Sequence, residues 1–188
     1  MIKYTYEDYK KLPSLDVAGL VWELIDGVIQ FAAAPASIHQ KLLGELHFYI
    51  RLRLESEKDK CQIMIAPSDV YLKKSIVLQP DLFIVRDKEQ ITKSRCNGIP
   101  DLIVEILSPG TKEKDLPNGS KFRIYEEFLL REYWIVDPLD ENNITLTQYV
   151  LENDVLKQKQ VYTKEGKIQS HIYSWLEIDL SEIFSLDD

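Results

Sequence analysis

The sequence predicts an α/β fold in which a mixed central β-sheet is flanked by helices, with additional β-hairpins near the N-terminus and the C-terminus. Three observations predict it. Turn signals, Asp-Gly and Asn-Asp, separate pairs of short strand-like runs in the first and last parts of the chain. Two longer segments carry apolar residues at helical spacing. Short runs rich in Ile, Val and Leu lie between and after these segments, as strands of a shared sheet would.

Length and composition restrict the class of protein. The 188 residues, 45% of them apolar, suit a single domain spanning 1–188, with a core that needs neither disulfides nor a structural metal. The formal net charge of −8 argues against a protein that merely coats nucleic acid, since such proteins are usually basic. It remains compatible with a local basic patch and with carboxylates that need cations.

The sequence also predicts the surroundings of the protein. The stretch MIKYTYEDYKKL is charged throughout, without the apolar segment of a signal peptide. No stretch approaches the roughly 20 apolar residues of a membrane span. Cys61 and Cys96 belong to no CxxC pair or zinc-spaced cluster, so two reduced thiols are expected. We therefore expect a cytoplasmic protein that does not contact membranes.

The first elements are predicted by capping and turn residues. Thr5 is expected to cap a short helix, with Asp8 completing a capping box. VWELIDGVIQF then reads as a hairpin, because Asp26-Gly27 suits a type I′ turn, which needs positive φ at both central residues. Ser37 is expected to cap the first long helix. The apolar stripe of that helix consists of Ile38, Leu42, Leu46, Tyr49 and Ile50.

Strands and one further helix are expected in the rest of the chain. The predicted strands are 62–72, 76–85, 101–107 and 132–138, and the predicted helix is 118–130, with Phe122, Tyr125, Phe128 and Leu129 on its apolar face. A second hairpin turns at Asn153-Asp154, and a short helical turn follows near the C-terminus.

Two acids stand inside apolar strands, where an unpaired charge is costly. Asp81 lies in IVLQPDLFIV and Glu105 lies in DLIVEILSPG. If the two carboxylates converge, they repel each other unless a cation lies between them. Oxygen-only ligands suit Mg²⁺ or Mn²⁺. Alternatively, each acid faces solvent or pairs with a lysine.

A lysine and a tyrosine follow at helical spacing. Lys121 and Tyr125 are one turn apart, so both share a face of the predicted second helix. Lys121 could then reach over the end of strand 101–107, although a solvated surface lysine fits the pattern as well. Asp115 in the connecting loop could equally hold a turn, and His39 could serve packing or capping.

These residues belong to a recognisable pattern. PD at 80–81 followed by EIL at 105–107 resembles the PD-(D/E)XK nuclease superfamily. A wider set of motifs, over roughly residues 5–185, resembles the Uma-type family of restriction-endonuclease-like proteins. The set comprises WELIDG, a helix beginning SIHQ, QPDLFIV, GIPDLIVEILSPGT, Asp115, Lys121, Tyr125 and REYWIVDP.

The resemblance implies a restriction-endonuclease-like core and a function. The core is a helix, a three-stranded antiparallel meander, a helix and a strand added parallel. Asp81 and Glu105 would hold Mg²⁺ or Mn²⁺, with the backbone carbonyl of Ile106 as a third ligand, and Glu23 and His39 would border the cleft. The reaction would be metal-dependent hydrolysis of phosphodiester bonds in DNA, with a homodimer as one way to cut both strands.

The sequence departs from the superfamily motif at two places. A lysine is expected at position 107, where this chain has Leu107, so Lys121 is assigned as the migrated catalytic lysine, with Tyr125 orienting it or contacting substrate. Leu129-Leu130 stands where the family tends to place a glycine.

Two other functions compete with the nuclease. The absent lysine at 107 and the acidic balance also fit a catalytically inactive nuclease-fold domain that binds nucleic acid or protein. A glycosidase with a carboxylate pair is less favoured, because sugar-stacking aromatics do not cluster around the acids and Lys121 would have no role. Any DNA would have to approach a local basic face, for which the candidates are Lys73, Lys74, Lys112, Lys114, Lys121 and Arg123.

Overall fold

The computed structural model describes residues 3–11, 21–32, 36–57, 60–140 and 143–185. The helices are α1 (Tyr6–Tyr9), α2 (Ser37–Glu57), α3 (Lys112–Asp115), α4 (Ser120–Glu127) and α5 (Leu180–Phe184), with a 3₁₀ turn at Lys88–Gln90. The strands are β1 (Val21–Ile25), β2 (Val28–Ala32), β3 (Gln62–Ile65), β4 (Val70–Lys73), β5 (Ile76–Leu78), β6 (Leu82–Val85), β7 (Cys96–Asn97), β8 (Leu102–Ile106), β9 (Glu132–Asp137), β10 (Thr145–Glu152), β11 (Val155–Tyr162), β12 (Lys167–Gln169) and β13 (Glu177–Asp179).

The strands form two larger sheets and a small one. The six-stranded sheet has the order β11-β10-β9-β8-β6-β3, the five-stranded sheet has the order β2-β1-β5-β4-β7, and β12 pairs with β13. In the six-stranded sheet β8 and β9 are parallel, whereas β6 pairs with both β3 and β8 in antiparallel fashion. Mixed sheets flanked by helices confirm the predicted fold class.

Strand β8 is buried on both faces, which explains its nearly continuous apolar sequence. Leu102, Val104 and Ile106 pack in a core with residues of α2. Ile103 and Leu107 pack in a second core with residues of α4. Because side chains alternate along a strand, Glu105 points to the α4 side of the sheet.

The predicted strands 62–72 and 76–85 are wrong as continuous elements. Each is broken in the middle: β3 and β6 belong to the six-stranded sheet, whereas β4 and β5 belong to the five-stranded sheet. Pro67 and Pro80 lie in the two breaks and lack the N–H that a strand needs for its ladder. The chain therefore crosses between sheets at both points, and Asp81 lies at the second crossing.

Both predicted hairpins are confirmed. Asp26 and Gly27 have φ of +50° and +79°, and Asn153 and Asp154 have φ of +52° and +63°, as type I′ turns require. The capping box of Thr5 is also present. The predicted cap of α2 is off by one residue.

Helix α2 begins one residue earlier than its predicted cap implies. The carbonyl of Ala36 accepts the backbone N–H of Gln40 at 3.1 Å, so the capping position is Ala36 and Ser37 is already helical.

The predicted helix 118–130 is shorter in the structure. It starts at Ser120 and ends at Glu127, followed by Leu129 at φ +59°. The N–H of Leu129 bonds to the carbonyl of Glu126, and the N–H of Leu130 bonds to the carbonyl of Tyr125. This is the Schellman arrangement, which normally has glycine in the left-handed position. Leu129 is 47% exposed and does not belong to the apolar face predicted for it.

Candidate active site

Lys121 lies at the centre of a buried cluster of carboxylates. It stands in the first turn of α4 and is 6% exposed. Its Nζ lies 2.6 Å from Glu105 Oε1, 3.2 Å from Glu23 Oε1 and 3.4 Å from Asp115 Oδ1. The three acids come from β8, β1 and α3, so the cluster joins elements of both larger sheets. The structure thus brings Lys121, Glu105 and Glu23 together.

A glycine allows α4 to begin beside α3. A Cβ on Gly119 would lie 2.3 Å from the carbonyl oxygens of both Glu113 and Lys114, a separation that the backbone cannot accept. The hydroxyl of Tyr133 donates to the carbonyl of Asp115 at 3.1 Å and ties the end of α3 to β9. Close packing of the two helices therefore places Asp115 near Lys121.

Tyr125, which lies on α4 like Lys121, holds the carboxylate of Glu105 on β8. Its hydroxyl donates to Glu105 Oε1 at 2.6 Å, the same oxygen that Lys121 contacts. Burial raises the pKa of Glu105 well above its usual range, and the negative charges of Asp115, Asp81 and Glu23 raise it further while Lys121 opposes them. The four acids are therefore close enough to repel one another.

The cluster also shifts the pKa of its other members. Burial lowers the pKa of Lys121, but the carboxylates of Asp115, Glu105 and Glu23 outweigh it and raise that pKa well above its usual value. Burial and the charge of Glu23 raise the pKa of Asp115, which Lys121 opposes. A buried cation is thus held in its charged form by an excess of carboxylates.

Asp81 is held from two directions. The backbone N–H of Ile106 donates to Asp81 Oδ2 at 2.7 Å, and His39 Nε2 lies 3.2 Å from the same oxygen. The side chain of Asp81 is 17% exposed, more than those of Glu105 or Lys121. Asp81 and Glu105 therefore both lie near the C-terminal end of β8, and His39 of α2 contacts Asp81. His39 Nδ1 is buried without a hydrogen-bond partner.

Sequence reasoning missed a polar network that fixes Glu23. The backbone N–H of Gln79, two residues before Asp81, donates to Glu23 Oε1 at 3.1 Å. The side-chain amide of Gln79 donates to Asp69 Oδ1 at 2.7 Å and to the Tyr9 hydroxyl at 3.2 Å. The network thus connects α1 with the break between β5 and β6. The sequence signal for this network is Gln79, a polar residue directly before Pro80, where the strand is broken.

Asp115 belongs to the motifs that carry the family resemblance, but the sequence assigned it no role in the site. Its place in the loop suggested a turn, yet it is 5% exposed and within 3.4 Å of the Lys121 ammonium. The signal that could have found it is the sequence Pro-Asn-Gly at 117–119, which forces a tight connection between Asp115 and Lys121.

The donor chemistry of the cluster fits a hard divalent cation. The carboxylates of Glu23, Glu105 and Asp115 contact Lys121, and the charge of Asp81 acts on Glu105; carboxylate oxygens are the ligands that Mg²⁺ and Mn²⁺ prefer. Within the described part of the chain, however, no three His, Cys, Asp or Glu side chains form a group that could hold a metal. The ligand set Asp81, Glu105 and Ile106 therefore stays a prediction.

Position 107 contributes no charge to the cluster. Leu107 is 2% exposed and packs in the core on the α4 side of the sheet. Lys121 is one of the residues predicted for a basic surface that meets DNA. It does not belong to such a surface, because its ammonium is buried among acids. Lys112 and Lys114 are partly exposed on α3, and Arg123 is exposed on α4, so these remain candidates near the cluster.

Comparisons with known proteins give a matching family model and a solved structure of similar fold. A family model described as "Uma2: Putative restriction endonuclease" matches residues 6–181. A crystal structure from Anabaena variabilis, titled as that of "a putative nuclease belonging to DUF820", has a TM-score of 0.70 at 16% identity and covers 96% of this chain and 97% of its own. No curated protein matches. In the described residues, no helix is long and apolar enough to cross a membrane.

Proposed function

The chain belongs to the Uma2 family, whose model spans residues 6–181, and on that premise we propose that it is a metal-dependent endonuclease hydrolysing phosphodiester bonds in DNA. The observation that carries the proposal is the convergence of Glu105, Glu23 and Asp115 on the buried ammonium of Lys121. Such an arrangement is costly for stability, which favours a functional reason for it. We assign Asp81, Glu105 and Lys121 as catalytic residues.

Asp81 and Glu105 would hold the cation, with the carbonyl of Ile106 as a further ligand. When bound, Mg²⁺ or Mn²⁺ would supply positive charge to the phosphate and make a water more acidic. Ile106 N–H and His39 orient Asp81 for this role through its Oδ2. Tyr125 orients Glu105 through its hydroxyl.

Lys121 would act on the substrate directly. Its ammonium would orient the attacking water and donate to the phosphate oxygen on which negative charge develops. The water oxygen bonds to phosphorus as the bond between phosphorus and the leaving oxygen breaks; the attacking water gives its proton to solvent, and the leaving oxygen takes a proton from solvent. Because the carboxylates raise the pKa of Lys121, its ammonium stays charged at neutral pH and serves as a donor rather than as a general base.

Cleavage of supercoiled plasmid in Mg²⁺ or Mn²⁺ tests the proposal. Asp81→Asn and Glu105→Gln keep the shape of each side chain but remove a charge from the cation site, so nicking should fall at least about 100-fold. Glu113→Gln is the matched control, because Glu113 is an exposed acid of α3 beside the cluster and should be dispensable. Activity that survives both site substitutions would refute the assignment.

One observation favours a second function, a non-catalytic domain that binds nucleic acid or protein. Lys121 already neutralises part of the charge on three acids, as a structural lysine would. Calorimetry with Mn²⁺ separates the two functions, since a working site must bind the ion. Absence of binding at millimolar Mn²⁺ would favour the non-catalytic domain.

A further inference from the structure

The outward face of α2 carries two large apolar side chains. Phe48 is 57% exposed and Leu52 is 47% exposed, in the middle of a helix of 21 residues. They are four positions apart and therefore neighbours on one face of the helix. The opposite face of α2 is buried in the core through Leu42, Leu46 and Ile50, so the two faces have separate roles.

Small and charged residues surround this apolar pair. Lys41 and Glu55 stand seven residues before and after Phe48, two turns away on either side and close to the same line along the helix. Gly44 lies one turn before Phe48, and a Cβ there would meet nothing within 4 Å, which leaves a notch in the surface.

The charges on this face balance. Lys41 and Arg51 offset Glu45 and Glu55, so the face has no net charge, although the whole chain carries −8. Two copies of an acidic protein repel each other over most of their surfaces. A neutral face with an apolar centre is where that repulsion is weakest.

We propose that this face binds a second copy of the chain, with the two α2 helices antiparallel about a two-fold axis at Phe48. In an isologous contact, residue i of one copy faces residue j of the other, and j faces i. Antiparallel helices crossing at Phe48 place Lys41 of each copy against Glu55 of the other. A parallel pairing would instead place Lys41 against Lys41. The charge pattern therefore selects the antiparallel arrangement.

The proposed interface is separate from the carboxylate cluster. His39, which contacts Asp81, is nine residues from Phe48, or two and a half turns, and so lies on the opposite, buried side of α2. Substitutions on the outward face should leave the cluster intact. The oligomeric state can thus be tested by mass alone, whether or not the protein cleaves DNA.

Light scattering and sedimentation of the full chain give the first test. The wild type should have the mass of a dimer, and Phe48→Lys should have that of a monomer. Val161→Lys is the matched control, because Val161 is 47% exposed on β11, away from α2, and its variant should remain a dimer. A wild type that stays monomeric up to about 100 µM overturns the proposal. A Val161→Lys variant that dissociates as much as Phe48→Lys also overturns it.

Charge exchange tests the antiparallel geometry. Lys41→Glu and Glu55→Lys should each raise the dimer dissociation constant about tenfold, and the double variant should restore it. Glu55 also pairs with Arg51 within its own helix at 2.7 Å, a contact that the double variant does not repair. Restoration would therefore come from the other copy. A double variant as weak as the single variants overturns the antiparallel arrangement.

A disulfide gives independent support. Helices packed about 8–10 Å apart bring facing Cα atoms to about 5 Å, within reach of a disulfide. Phe48→Cys should therefore form a covalent dimer on mild oxidation, whereas the native Cys61 and Cys96 are buried. Failure of the oxidised variant to cross-link would place Phe48 away from the axis and overturn the proposal.

Discussion

Lys121 is the residue on which the electrostatics of the cluster depend. Removing one partner of a buried ion pair leaves the other charge unpaired, which typically costs about 3–5 kcal/mol. We expect Lys121→Met to lower the free energy of unfolding in urea by about that amount and to abolish cleavage. Added Mg²⁺ should restore part of the stability, because a cation would again neutralise Glu105.

The control for this substitution is Lys114→Met. Lys114 is a partly exposed lysine of α3 and should change stability by less than about 0.5 kcal/mol. If Lys121→Met were as mild as Lys114→Met, the ion pairs of Lys121 would carry little energy and the description of the cluster would be wrong.

Glu105 should make the stability of the metal-free protein depend on pH. Burial raises its pKa in the folded protein above the ordinary value of 4.5. The folded chain therefore binds this proton more tightly than the unfolded chain does. The stability that results is fully present below pH 4.5 and is lost as the pH rises through the raised pKa.

Glu105→Gln isolates that contribution. Glutamine cannot ionise, so the variant should become more stable relative to the wild type as the pH rises from 4.5 toward neutrality. Urea unfolding at several pH values in the presence of a chelator measures the difference. A difference that stays constant over this range would mean that the pKa of Glu105 is not raised.

At the scale of the element, the end of α4 contains a correctable strain. Leu129 has φ +59°, where a side chain costs about 1–2 kcal/mol and glycine costs little. We expect Leu129→Gly to raise the free energy of unfolding by about 1 kcal/mol, measured by urea or thermal denaturation.

The alanine variant separates strain from lost contacts. Leu129→Ala removes the same exposed side chain but keeps the Cβ, so it should not stabilise the protein. Equal stability of the two variants would show that the left-handed backbone at residue 129 is not strained.

Elements were predictable where local chemistry decides them. Asp26-Gly27 and Asn153-Asp154 set their turns by backbone preference alone, and the structure has both hairpins. The division of the strands around Pro67 and Pro80 was not predictable, because an apolar run does not reveal which sheet each half will join. Only the packing of two sheets determines where the chain crosses between them.

The candidate site was predictable only where a residue type at a particular place in an element indicates it. Glu105 and Lys121 follow from a carboxylate inside an apolar strand and a lysine at a helix start. Asp115 and Gln79 depend on packing that side-chain type does not reveal. Asp115 depends on the close approach of α3 and α4 at Gly119, and Gln79 depends on the long-range pairing of β1 with β5. The residues Pro-Asn-Gly at 117–119 and the Gln79-Pro80 pair indicate these places in the sequence, but neither shows which side chain will be contacted.

At the scale of the whole molecule, an acidic chain that cleaves DNA as proposed must present a local basic face to it. Lys112 and Lys114 on α3 are candidates because α3 borders the cluster. Each lost phosphate contact should reduce the slope of log affinity against log salt by about 1. We therefore expect Lys112→Glu with Lys114→Glu to weaken DNA binding and to reduce that slope by about 2.

Lys157→Glu controls for the general effect on DNA binding of reversing the charge of a lysine. Lys157 lies on β11, the edge strand of the six-stranded sheet, and its side chain is 52% exposed. Its reversal should change the affinity for DNA much less. Unchanged affinity and salt dependence in the α3 double variant would exclude α3 from the DNA-binding face.

A crystal structure of the wild type grown with millimolar Mn²⁺ decides whether Asp81 and Glu105 form a metal site, because anomalous scattering identifies the ion. We expect one Mn²⁺ coordinated by carboxylate oxygens of both Asp81 and Glu105, with Lys121 adjacent, and none at that position in Asp81→Asn. A wild-type crystal without Mn²⁺ between these two acids would contradict the assignment of a metal-dependent site.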